Sequence, residues 1–117
     1  MTDTTLTGSA SAAILARSDA CFPGGVNSPV RAFRAVGGHP VVLRQGRGAR
    51  VTDVDGRVLL DYVCSWGALV LGHAHPAVTR AIAEAASNGT GFGMPTPSEP
   101  QLAELIQGAM PSLELMR

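Results

Sequence analysis

Apolar and polar positions fall into blocks along this chain, and the period changes from block to block. Over residues 9–21 alanine dominates, and Ala13, Ile14, Ala16, Arg17 and Ala20 predict a helix that Ser9 or Ser11 can cap. Phe22-Pro23-Gly24-Gly25 stops it, because proline and paired glycines do not continue a helix. Val26-Asn27-Ser28-Pro29-Val30-Arg31 then predicts an irregular loop, in which Pro29 drives Ser28 into an extended conformation. Three short runs follow, Val41-Val42-Leu43, Arg50-Val51-Thr52 and Val58-Leu59-Leu60, and predict a small antiparallel meander over 40–62. Asp53-Val54-Asp55-Gly56 is the hairpin turn between the last two, since its Asp-Gly pair accepts positive φ.

After Tyr62-Val63-Cys64-Ser65-Trp66-Gly67 the chain stays apolar to Gly72, and Pro76 suits the first turn of a helix. Val78, Ile82 and Ala85 form one apolar stripe on it, and Asn88-Gly89 ends it. A Gly-, Thr- and Pro-rich loop occupies 89–97. Ser98 with Gln101 then predicts a capping box for a helix carrying Leu102, Leu105 and Ile106 on one face and ending near Gly108. The run from Pro111 to Arg117 reads as the opening of a buried strand. The part present is therefore expected to be α+β: a helix, a small sheet, and helices leading into a larger α/β domain. That expectation divides the chain into a disordered tail at 1–8, a helix, loop and meander at 9–74, and a truncated start of the larger domain at 75–117. A strand without partners and helices with bare stripes further predict a product that is marginal or aggregation-prone by itself.

Composition narrows the partners. The chain has 117 residues, 45% of them apolar, with nine basic residues balanced by nine acidic ones. A neutral balance gives no pull toward nucleic acid or an anionic membrane, and leaves small molecules or proteins as partners. No run approaches the roughly 20 apolar residues of a membrane span. Met1-Thr2-Asp3-Thr4-Thr5 lacks the marks of a signal or transit peptide, so a soluble, cytoplasmic protein is expected. Cys21 and Cys64 have neither metal nor CxxC spacing and are expected to be reduced thiols. All nine basic residues are arginine, so no side-chain amine exists for Schiff-base chemistry.

Several motifs admit a bland reading. Asp53-Val54-Asp55-Gly56 lacks the further acidic ligands of a calcium loop and reads as a turn. His73 and His75, two apart with no cysteine nearby, read as a polar loop rather than a metal site. The glycines at 24–25, 46–48 and 89–93 match neither GxGxxG nor a P-loop, and Gly46-Arg47-Gly48 is expected between strands. Arg31 is either an ordinary surface arginine or a guanidinium fork that a stiff Asn-Ser-Pro loop holds for a carboxylate. Trp66, flanked by Ser65 and Gly67, is either core or the wall of a pocket.

Taken together, these segments resemble the glutamate-1-semialdehyde aminomutase family, a branch of the class-III, pyridoxal-phosphate-dependent aminotransferases. The resemblance lies in Phe22 through Phe33, Asp53-Val54-Asp55-Gly56 with Asp61-Tyr62-Val63, Ser65-Trp66-Gly67, Leu71-Gly72-His73-Ala74-His75-Pro76, and Gly89-Thr90-Gly91-Phe92-Gly93 with Pro95-Thr96. It covers about residues 9 to 117. Pro97-Ser98-Glu99-Pro100 departs from the acidic and apolar residues usual after Pro95-Thr96.

The resemblance implies the amino-terminal segment of a fold-type-I transferase, a homodimer that uses pyridoxal or pyridoxamine 5'-phosphate. Its implied reaction shifts an amino group within glutamate-1-semialdehyde, giving 5-aminolevulinate for tetrapyrrole synthesis. By the same resemblance Arg31 binds the substrate carboxylate, with Ser28, Val30 and Trp66 in the same pocket. The cofactor's phosphate loop, its aspartate and the Schiff-base lysine are expected beyond Arg117. No catalytic, cofactor-binding or metal residue is therefore assigned within the chain, which is expected to be inactive alone. Another class-III aminotransferase, or a non-catalytic stand-alone module, are the alternatives.

Overall fold

A computed structural model of the chain describes residues 8–116. They form two compact units, one running through Thr79 and the other starting at Arg80. The tail expected at 1–8 lies outside the described residues apart from Gly8.

In the first unit, α1 spans Ser9–Cys21 and the expected Pro-Gly-Gly stop follows, with Gly24 and Gly25 at φ of +71° and +70°. The cap differs from the one expected. Gly8, not a serine, occupies the N-cap position and offers no side chain. The orphan amides instead meet a carboxylate from far along the sequence. Asp55 accepts the N–H groups of Gly8 (3.1 Å), Ala10 (3.1 Å) and Ser11 (3.3 Å), together with the hydroxyl of Ser11. A carboxylate at this end of a helix satisfies donors that have no intrahelical partner and complements the helix dipole. Ser11 is 1% exposed, so its hydroxyl is committed there. A side chain at position 8 would collide with Asp55, since a Cβ there would lie 2.4 Å from its Cγ.

The meander is a three-stranded antiparallel sheet in the order β1-β2-β3, with β1 Leu43–Arg47, β2 Arg50–Asp53 and β3 Val58–Leu60. Gly46 pairs with Val51 and Arg47 with Arg50 across the first hairpin, and Val51 pairs with Leu59 across the second. The first strand thus starts at Leu43 rather than Val41, and it absorbs Gly46 and Arg47, which were expected between strands. Pairing across the tight Gly48-Ala49 connection sets this register, and an irregularity between Leu43 and Gln45 lets the strand bend away. Among the described residues Val51, on the central strand, is the apolar side chain that reaches full burial, at 6% exposure.

Asp53 is fully buried at the base of the second turn, where it accepts the N–H of Asp55 (3.0 Å), the N–H of Arg57 (2.8 Å) and Arg57 Nε (2.6 Å). Burial pushes this carboxyl up. The Arg57 amide and guanidinium and the Asp55 amide outweigh it and hold the group below its ordinary value. The turn reading of 53–56 stands, with Gly56 at φ +89°.

Helix α2 spans Pro76–Ser87 and α3 spans Ser98–Ala109, close to the limits expected. The α3 cap is again a different pair. Glu99 reaches back to accept the Thr96 N–H (3.1 Å), while its own N–H goes to the Thr96 carbonyl (3.2 Å), so a one-sided Thr96–Glu99 link closes this end rather than a box of Ser98 with Gln101. The stripe residues Ile82, Leu102 and Leu105 are exposed, as expected of faces without partners. The strand expected after Pro111 does not form among the described residues. Leu113 closes a turn onto Met110, Gln107 Nε2 donates to the Glu114 carbonyl, and Leu115 is 93% exposed. A strand needs a ladder partner, and no described segment offers one there.

Candidate functional site

Of the residues singled out for carboxylate binding, Val30, Arg31 and Trp66 meet in one groove of the first unit. Its lining includes Asn27, Val30, Arg31, Asp61, Trp66 and His73. Its volume, about 670 Å³, falls within the ~300–1,000 Å³ usual for small-molecule sites. Ser28 does not line it. Its backbone is extended, as Pro29 requires, and its carbonyl accepts the Arg31 N–H at 3.0 Å, closing the Pro29–Arg31 turn that carries the guanidinium.

Arg31 Nη1 donates to Asn27 Oδ1 at 3.3 Å. One amide thus steadies an otherwise exposed cation and leaves other guanidinium donors for an incoming pair of oxygens. The stiff Asn-Ser-Pro loop expected to hold Arg31 does so in part through this Asn27 contact. Val30 and Trp66 are 69% and 77% exposed, so the tryptophan is wall and not core.

Trp66 stands on an unusual turn. Cys64, Ser65 and Trp66 have φ of +50°, +51° and +61°, and Gly67 follows at +89°. L-residues pay about 1–2 kcal/mol each for left-handed backbone. Three in a row persist only where surrounding contacts over-determine them. The contacts come from Asp61, whose Oδ1 accepts the N–H groups of Val63 (2.8 Å) and Cys64 (3.1 Å). Its Oδ2 lies 2.7 Å from His73 Nε2. The His73 hydrogen bond above all, then the Val63 and Cys64 amides, hold the Asp61 carboxyl below its ordinary range against the opposing effect of burial. Sequence reasoning did not find this pair, because its members are twelve residues apart and nothing local links His73 to the Asp61 turn. Both cysteines are free thiols.

The class-III aminotransferase family profile matches residues 33–114. The chain belongs to this family. Among class-III relatives, the glutamate-1-semialdehyde 2,1-aminomutase of Roseiflexus castenholzii is 59% identical over 107 residues, which is 92% of this chain and 25% of the relative. An omega-transaminase from Sphaerobacter thermophilus superposes with a TM-score of 0.81 at 38% identity, covering 92% of this chain and 24% of that one. The glutamate-1-semialdehyde-aminomutase of Pseudomonas aeruginosa, solved in complex with PMP, gives 0.74 at 27% identity over 85% of this chain and 22% of that one. The chain spans about a quarter of the length of the curated relatives it matches.

A class-III enzyme implies a phosphate-bearing cofactor. In the second unit, the glycine-rich hollow over Gly89–Thr96 has the Glu99 carboxylate in its wall, which repels phosphate. With no lysine anywhere in the sequence, the residues present do not fit that group on their own. Among the described residues no three His, Cys, Asp or Glu side chains are grouped to hold a metal ion, and no helix is long and apolar enough to cross a membrane.

Proposed function

We propose that this chain is the substrate-loop segment of a glutamate-1-semialdehyde 2,1-aminomutase, converting (S)-4-amino-5-oxopentanoate to 5-aminolevulinate in porphyrin biosynthesis. The observation that carries the reading is the groove in which Arg31, steadied by Asn27, shares a wall with Val30 and Trp66. Arg31 takes the substrate carboxylate as a planar, permanently charged fork. Val30 and Trp66 enclose the carbon chain, and Ser28 supports the loop through its carbonyl. Such a clamp holds a small, flexible substrate in one orientation.

The working enzyme is a cytoplasmic homodimer that uses pyridoxal or pyridoxamine 5'-phosphate. Residues outside this chain hold that cofactor, and the 117 residues alone are inactive. On this reading the segment from His75 onward belongs to the larger, cofactor-binding domain. The relatives between 54% and 59% identical, all aminomutases by name, support the substrate assignment.

A second reading, a class-III aminotransferase acting on another amine, draws on the higher TM-score and identity of the omega-transaminase. The 59% sequence match outweighs it, because neighbours of either activity share the backbone of this segment and the fold therefore does not discriminate between them. The deciding experiment assays the full-length protein on the semialdehyde with no second amino donor. Turnover supports the mutase, and a strict need for a donor supports the transaminase. In the same protein Arg31→Ala raises KM by about one to two orders of magnitude, as loss of a charge-assisted bidentate contact requires. Unchanged kinetics would remove Arg31 from the site.

A further inference from the structure

We propose that His73 is a positioning residue for the groove. Acting through Asp61, it locks the left-handed Cys64–Gly67 turn in the conformation that presents Trp66 to the substrate. The proposal rests on the functional reading of the groove only for its kinetic consequence; the locking itself rests on the geometry.

A carboxylate anchored through one oxygen can still rotate, and Asp61 would then let go of the Val63 and Cys64 amides. His73 removes that freedom by taking the other oxygen at 2.7 Å. The imidazole is itself fixed from two further directions. Its backbone forms a bridge to the connection between β1 and β2, with His73 N–H to the Gly48 carbonyl at 2.9 Å and Gly48 N–H to the His73 carbonyl at 2.8 Å. Its ring lies against Gly46, where a Cβ would sit 2.5 Å from His73 Cγ and 2.6 Å from Nδ1. A rigid line therefore runs from β1 through His73 and Asp61 to the strained turn. Beyond Asp61, the turn is closed by backbone bonds from Trp66 N–H to Val63 O, Gly67 N–H to Cys64 O, Ala68 N–H to Ser65 O and Leu69 N–H to Cys64 O, all of which stay within residues 63–69. The pair sits in the wall of the groove that Trp66 and Arg31 also line, so any play in the turn is play in the pocket.

The test uses the full-length protein and two readouts, amide hydrogen exchange over residues 64–69 and steady-state kinetics on the semialdehyde. His73→Ala should speed exchange in that segment by about tenfold or more, the loss expected of a hydrogen bond to a charged group. It should also raise KM by a similar factor while kcat stays within about twofold, a split that generalised destabilisation does not produce. His73→Gln, which keeps an N–H for Asp61, should recover most of both effects. Gly46→Ala, which displaces the ring without touching Asp61, should reproduce them. Unaltered exchange in His73→Ala and Gly46→Ala, alongside a raised KM in Arg31→Ala, overturns the positioning role and leaves the groove assignment intact. Faster exchange with kinetics unmoved in both the His73 and Arg31 variants supports the locking and overturns the groove as the substrate site.

Discussion

Two glycines with the same left-handed backbone provide a matched measurement of what close approach costs in this fold. Gly67 sits at φ +89° with nothing within 4 Å of where a Cβ would stand. Gly72 sits at φ +79°, but a Cβ there would lie 2.9 Å from the Gly48 carbonyl oxygen and 3.0 Å from its carbon. Alanine at position 67 therefore carries the conformational term alone, about 1 kcal/mol after the smaller entropy of its unfolded chain is allowed for. Alanine at position 72 carries the same term and must also displace backbone, a further ~1–3 kcal/mol for overpacking. Gly72→Ala should lose about 2–4 kcal/mol against about 1 kcal/mol for Gly67→Ala, a large share of the ~5–15 kcal/mol that holds a typical domain. Urea unfolding followed by circular dichroism measures both. Exchange of the Gly48 and His73 amides, which donate across the bridge, should rise in the position-72 variant only. Equal losses for the two variants would refute the claim that packing against Gly48, rather than φ alone, excludes a side chain at position 72.

Other expectations follow from the caps. Ser11→Ala removes a buried donor to Asp55 and should lower the thermal midpoint by about 5 °C at neutral pH. The Ser11 hydroxyl chiefly, with the Ser11, Ala10 and Gly8 amides and against burial, holds the Asp55 carboxyl below its ordinary value of 3.8. That stabilisation is complete above the unfolded value and is lost as pH falls through the lower folded one, so the gap between wild type and Ser11→Ala should close in acid. A gap of constant size in melts taken down to well below pH 3.8 would count against the assignment. Glu99→Ala should speed amide exchange in the first turn of α3 and leave the Thr96 N–H without its acceptor, whereas Gln101→Ala should have no such effect.

What could be read from the sequence was local. Phe22-Pro23-Gly24-Gly25 stopped α1 where expected, and Asp-Gly placed the second hairpin, because those residues restrict their own backbone. The caps were misassigned for a physical reason. Asp55 is more than forty residues from the helix start it caps, and Glu99 outcompeted Gln101 through a threonine that proline separates from the helix proper. The first strand was misplaced by two residues, since Val41-Val42 is more apolar than Arg44-Gln45, yet pairing with β2 decides which residues join a ladder. Arg31 and Trp66 were candidates from their local settings and Val30 through the family resemblance, and the three line one groove. The left-handed conformation of Cys64, Ser65 and Trp66 was not read from the sequence, because none of the three favours positive φ and the side chain that holds it, Asp61 just upstream, is itself oriented by the more distant His73.

The carboxylate that seals the start of α1 also sets an order of events. Helix α1 is alanine-rich and carries no marked apolar stripe, so little beyond local propensity holds it together until its first turn is engaged. During synthesis the helix is made before Asp55. The loop bearing Arg31 hangs from its far end and can take its final place only after the second hairpin has closed and its tip has come back to Gly8. A nascent chain halted short of the hairpin should hold residues 9–21 only transiently in shape, with protection of that helix from protease rising once position 55 clears the exit tunnel.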